Sequence, residues 1–204
     1  IRAFENQEQN RHFSALADAE LITKLQPGVP NVWSFIAWNL AYNISVMEDS
    51  EEEGYQWVKS GIETLKRGCD RASQSKSIWK LRQDLGWFYY HRVGPQFEDY
   101  YRKFLEDKEL NPQGLNPLLL AVEQFDKACS HPNHHLTVDY LLYRSLLDCL
   151  SGLRLSKEKR QELHARVALI RQHLSKEHAD PTMSQRLAFY DQQYQDVLRR
   201  ERRR

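Results

Sequence analysis

The chain of 204 residues has no run of 18 or more apolar residues, so it contains neither a helix able to cross a bilayer nor the apolar centre of a secretory leader. Net charge is almost absent. The 29 Lys and Arg stand against 28 Asp and Glu, which excludes a whole-molecule field for DNA, RNA or an anionic membrane, and no sequence-specific nucleic-acid binding is expected. Cysteine is scarce: Cys69, Cys129 and Cys149 are odd in number, far apart and without CxxC spacing, which argues against a disulfide framework or a zinc ribbon. They read as small buried hydrophobes. Cys129 and Cys149 are the one pair that neighbouring antiparallel helices could bring together in an oxidising compartment. Also missing are the glycine-rich phosphate loops, HExxH and GxSxG, so neither an activated nucleophile nor a cofactor cradle is expected, and the chain reads as a non-enzyme with no cofactor and no metal centre.

Strand patterns are nearly absent as well. The seven prolines and eight glycines fall mostly in short clusters, between long segments rich in Ala, Leu, Gln, Glu, Lys and Arg with apolar residues at helical spacing. That pattern predicts an all-α fold of about nine helices. A chain this long buries roughly 70% of its extended surface on folding, so its core needs no staples.

The first helix is expected from Arg2 to Leu25, burying Phe4, Phe13, Leu16, Ala17, Leu21 and Leu25, and stopping at Pro27-Gly28. The second, Asn31 to Met47, is apolar nearly all round and should be covered on two sides. Ser50-Glu51-Glu52-Glu53 has the spacing of a capping box and opens the third helix, which carries Tyr55, Val58, Ile62 and Leu65 and frays at Gly68 near Cys69. A fourth runs from Ser77 to Arg92 and a fifth from Gln96 to Asp107. Asn116-Pro117 caps a sixth that ends near Ser130. Thr137 to Leu150, Ser156 to His173, and Asp180-Pro181 to the tail complete the set. Alternate helix starts recur at about 40–46 residues, the period of a helical-hairpin repeat, so a single domain over 1–204 of stacked antiparallel pairs is expected, forming a right-handed solenoid with a concave groove.

The stretches Ile22–Pro27, Val32–Val46 and Leu85–Gly94 resemble the tetratricopeptide-like, membrane-anchored proteins abundant in planctomycetes and found in related large-genome bacteria. The match spans about the first half of the chain. Leu85-Gly86 with Tyr89 is also similar to the generic tetratricopeptide spacing, in which Leu-Gly permits close helix approach, while the later Ala and Pro positions of that motif are not clean. The resemblance implies a hydrophobic anchor preceding the segment Ile1 to Glu8, and hence a membrane-associated bacterial protein whose described part faces away from the cytoplasm. The first residue is Ile1, so the chain reads as part of a longer protein. The resemblance implies no biochemical activity.

Five tryptophans and ten tyrosines are many for this length, and rings that stay partly exposed mark interfaces. Trp33, Trp79 and Trp87 fit core positions, whereas Trp38, Trp57, Tyr90, Tyr100 and Tyr101 are less determined. Asn39 and Asn43 lie one turn apart on an apolar helix, and a buried amide without a partner costs about 1–3 kcal/mol, so each should hydrogen-bond. They either tie helix ends together or present amides to a partner beside Trp38 and Tyr42. The candidate partner-binding face is Trp38, Asn39, Tyr42, Asn43, Trp87, Tyr90 and His91. The function expected is a scaffold for a protein or peptide partner, with self-association as a variant of it.

The alternative is a metal- or small-ligand-binding protein using His131-Pro132-Asn133-His134-His135, with Asp139 four residues past His135. The basic tail, five arginines in Arg199–Arg204, reads as a frayed helix end.

Overall fold

The computed structural model describes residues 17–96, 98–176 and 181–203, and among them every regular element is a helix. The first, α1, covers 17–25. Helix α2 (Pro30–Trp38) runs on without a break into a wider turn, π1 (Asn39–Ile44); then come α3 (Glu51–Arg71) and α4 (Ile78–Trp87), which likewise continues as π2 (Phe88–Arg92). After these follow α5 (Glu98–Glu106), α6 (Pro117–Cys129), α7 (Leu136–Gly152), α8 (Lys157–Lys176) and α9 (Pro181–Glu201). The expected helix over 2–16 and its apolar residues Phe4, Phe13 and Leu16 lie outside the described residues, as does Asp180.

The caps follow from local chemistry. The Ser50 hydroxyl accepts from the Glu53 amide at 3.2 Å, with Glu51, Glu52 and Glu53 filling the first turn of α3. Asn116 accepts from the Leu118 amide at 2.9 Å ahead of Pro117, and Ser156 accepts from Lys159 at 3.2 Å. Each satisfies an amide that a helix start leaves without an intrahelical partner.

Packing runs between neighbours in the chain: α2 on α3 and α4, α3 on α4, α4 on α6, α6 on α7, and α7 on α8 and α9, with the short α5 against α3. One apolar core extends from Trp33 through Ile62, Phe88, Phe125 and Tyr143 to Val197. As expected, α2 and π1 are covered on two sides: Trp33, Ala37 and Ala41 enter that core, while Ile36, Leu40 and Ile44 form a second cluster with Ala19 of α1.

Two expectations need correcting. Helix α1 buries Ala19 and Thr23, leaving Leu21 and Leu25 55% and 72% exposed and Ala17 also exposed, because it meets α2 along a narrow stripe. Gly68 does not mark a fraying end. Helix α3 continues to Arg71, and a Cβ at Gly68 would sit 2.7 Å from Cγ of Trp33, so this glycine lets α2 and α3 approach. The last helix runs to Glu201, whose carboxylate is held by Arg160 and by His164, while Arg199, Arg200, Arg202 and Arg203 are exposed.

Candidate functional site

The two wide turns lie against each other. In π1 the Ser45 amide donates to the Leu40 carbonyl at 3.1 Å, and in π2 the Val93 amide donates to the Phe88 carbonyl at 3.1 Å, each five residues back instead of four. Such a shift frees carbonyls from the regular ladder and turns the side chains of the last helical turn; turns of this kind recur at functional sites. Here the freed Ala41 carbonyl accepts from the Ser45 hydroxyl at 2.6 Å and from Nε of Arg92 at 2.7 Å. Arg92 also donates to the Ser45 hydroxyl at 2.6 Å and lies 5.2 Å from the ring centres of both Tyr42 and Tyr100. This buried guanidinium clamps π2 to π1.

Along the clamped seam the rings stack in a continuous ladder. Trp38 lies on Tyr42 with centroids 4.4 Å apart, Tyr42 on His91 at 5.9 Å, His91 on Trp87 at 4.9 Å with planes 8° apart, and Trp87 on Tyr90 at 5.8 Å. Arg144 of α7 lies 5.2 Å from the Tyr90 ring centre, and the Tyr90 hydroxyl donates to Asp148 at 2.6 Å. Burial pushes the Tyr42 phenol up, and its hydroxyl lies in hydrogen-bond contact with Nδ1 of His91 at 3.1 Å. Burial, aided by the charges of Arg92 and Arg144, holds the His91 imidazole below its usual value, which favours the neutral ring.

The structure thus brings Trp38, Tyr42, Trp87, Tyr90 and His91 into one stack. Of these, Tyr90 is buried and the others are partly buried. Asn39 donates to the Phe35 carbonyl at 2.8 Å and Asn43 donates to Oδ1 of Asn39 at 2.9 Å, so both amides bond within their own helix along the edge of the ladder rather than tying distant loops.

Beyond Trp38 the ladder ends in a cleft of about 470 Å³ whose walls are Phe35, Trp38 and Trp79, with Asn39 at its rim. Trp79 is only partly buried there, not a core residue as its spacing implied. Phe35 is 46% exposed. The inner end carries Asp84, whose carboxylate accepts from the Ser34 hydroxyl at 2.5 Å. Burial raises the Asp84 carboxyl, and the hydrogen bonds from Ser34 and Trp38 and the Lys80 charge offset this only in part. No family model matches the chain, and no curated protein or solved structure matches it significantly. The site is therefore read from its own chemistry.

Asp84 and Ser34 were missed by sequence reasoning. The usable signal was a carboxylate set between Leu81, Leu85 and Phe88, where helical spacing puts it beside the apolar stripe.

The histidine loop does not act as a three-histidine unit. His131 accepts the Asn133 amide at 3.2 Å, and His135 caps α7 by accepting the Thr137 amide at 3.2 Å, so both serve the turn. His134 alone turns inward, and it is His134, not His135, that meets Asp139. Cys129 and Cys149 are free thiols, with Cys149 in the core and Cys129 against Asp139. No helix among the described residues is long and apolar enough to cross a membrane.

Proposed function

We propose that the protein is a non-catalytic scaffold whose helix pairs stack as a tetratricopeptide-like, right-handed array, and that it holds a protein partner on the face formed by Phe35, Trp38, Asn39 and Asn43. The order of packing along the chain, each helix on the next and often on the one after, supports the array. One observation carries the binding role. The half-exposed Phe35 and the rings of Trp38 and Trp79 share a cleft with the partly buried carboxylate of Asp84, between helices α2 and α4. Aromatic walls supply contact area with little entropy loss, and a shielded acid supplies direction.

A carboxylate accepts about four hydrogen bonds, and Ser34 and Trp38 supply two of those on Asp84. The partner chemistry that fits is an apolar segment bearing an Arg or Lys, whose charge would relieve the cost of burying Asp84. Tethering to a membrane, through a segment outside this chain, rests on the family resemblance alone.

The test compares capture with stability. Asp84→Asn removes a charge that burial makes costly, so the melting temperature holds or rises while partner capture falls at least about tenfold, the equivalent of 1.4 kcal/mol. Phe35→Ser behaves likewise, and Phe189→Ser, at another exposed aromatic, leaves capture unchanged. Capture that survives both Asp84→Asn and Phe35→Ser would end the proposal.

A further inference from the structure

A second cavity, of about 330 Å³, lies at the opposite end of the core, between the α6–α7 turn and the end of α8. Five potential metal ligands line it, and with Asp126 taken up by Arg166 four are left: Cys129 from the last turn of α6, His134 from the turn, Asp139 from the first turn of α7, and His173 from the last turn of α8. We propose that Cys129, His134, Asp139 and His173 form a closed site for a zinc-class divalent cation that pins the end of α8 to the α6–α7 turn.

The geometry is close to what such an ion needs. Ligand atoms of Cys129, His134 and Asp139 all lie within 4.8 Å of one another. Nε2 of His134 is 2.9 Å from Oδ2 of Asp139, and Nε2 of His173 is 3.7 Å from Oδ1 of the same carboxylate. Zinc bonds of about 2.0–2.3 Å in a tetrahedron place donor atoms roughly 3.3–3.8 Å apart, near the separations of His134 and His173 from Asp139, and the partly exposed His173 ring must swing in toward Cys129 and His134 to complete the set. The chain supplies three of these ligands at even intervals, Cys129-x4-His134-x4-Asp139, and the fourth from a separate helix.

The surroundings favour a cation. Nδ1 of His134 lies 2.7 Å from the His131 carbonyl, which can only accept; Nδ1 therefore carries the proton and Nε2 is aimed at Asp139. That is the outer-shell arrangement by which ligating histidines are oriented. Both ring nitrogens then face acceptor oxygens. Asp139 is 1% exposed and has the Cys129 sulfur beside it. The one guanidinium on the cavity wall, Arg166, is paired with Asp126 at 2.6 Å. A thiolate, two imidazoles and a carboxylate suit zinc or cobalt(II) rather than magnesium or calcium.

The experiment is a cobalt(II) titration of the chelator-treated full chain, followed by optical absorption. The proposal expects one equivalent to be taken up with the strong visible bands of tetrahedral cobalt and a thiolate charge-transfer band, both lost on adding zinc. Cys129→Ser removes the charge-transfer band. His173→Gln weakens affinity by at least the ~10–100-fold that loss of an outer-shell partner alone costs. Zinc raises the melting temperature of the parent chain, so a variant that folds poorly does not decide the matter. His135→Asn leaves the spectrum unchanged. No stoichiometric uptake, the weak spectrum of six-coordinate cobalt, or uptake lost on changing His135 but kept on changing Cys129 would each overturn the site. The first would leave His134 and Asp139 a plain ion pair closing the turn.

Discussion

Gly86 shows how one residue sets the spacing between two helices. A Cβ there would stand 2.7 Å from Cε1 of Phe125, so α4 meets α6 with no room for a methyl group. In an exposed helix Gly→Ala would stabilise by up to about 1 kcal/mol. Here overpacking against a buried ring reverses the sign, and Gly86→Ala is expected to destabilise by about 1–3 kcal/mol in urea unfolding.

His91 gives a second effect at the same scale. The unfolded chain takes up its proton near pH 6.5, whereas in the fold burial, Arg92 and Arg144 delay protonation to lower pH. The unfolded state therefore binds more protons in that window, and stability is lost as pH falls from above about 6.5 toward the folded value. Melting temperatures measured between about pH 7.5 and 5.5 should fall, and His91→Gln should flatten part of that fall. An unchanged slope in the variant would show that the ladder histidine is not held neutral.

Among whole elements, the starts of helices were the most legible. Ser50, Asn116 and Ser156 each cap the helix that their spacing announced, since a cap depends on only three or four consecutive residues. Ser50→Ala should cost about 1 kcal/mol of unfolding free energy, and no measurable loss would mean that Glu51–Glu53 stabilise the start of α3 without it. The wide turns π1 and π2 were not legible. Their residues, Asn39–Ile44 and Phe88–Arg92, keep helical spacing, and the carbonyl that π1 frees at Ala41 is met across the seam by Arg92. That contact joins residues about fifty positions apart, which no local pattern contains.

For the molecule as a whole, the all-α class could be read from the turn clusters and the missing strand patterns, and the ladder residues from their aromatic richness on two segments. Their stacking order could not, because it depends on how π1 and π2 face each other. The cleft beyond Trp38 was hidden for the same reason: Ser34 and Asp84 are ordinary helix residues until α2 and α4 pack. Of the metal-ligand candidates, the loop drew notice for its histidine density. The cluster that converges instead borrows Cys129 and His173 from helices on either side.

The scaffold reading places partner contact at one end of the ladder, and a photo-crosslinking residue built in at position 35, with position 189 as the control, tests that most directly. In cells making the full-length protein, position 35 should give one dominant protein adduct, the same one captured by the unmodified chain, and Asp84→Asn should abolish it while position 189 yields none. The same adducts at both positions, or an adduct at position 35 that is indifferent to Asp84→Asn, would contradict the account.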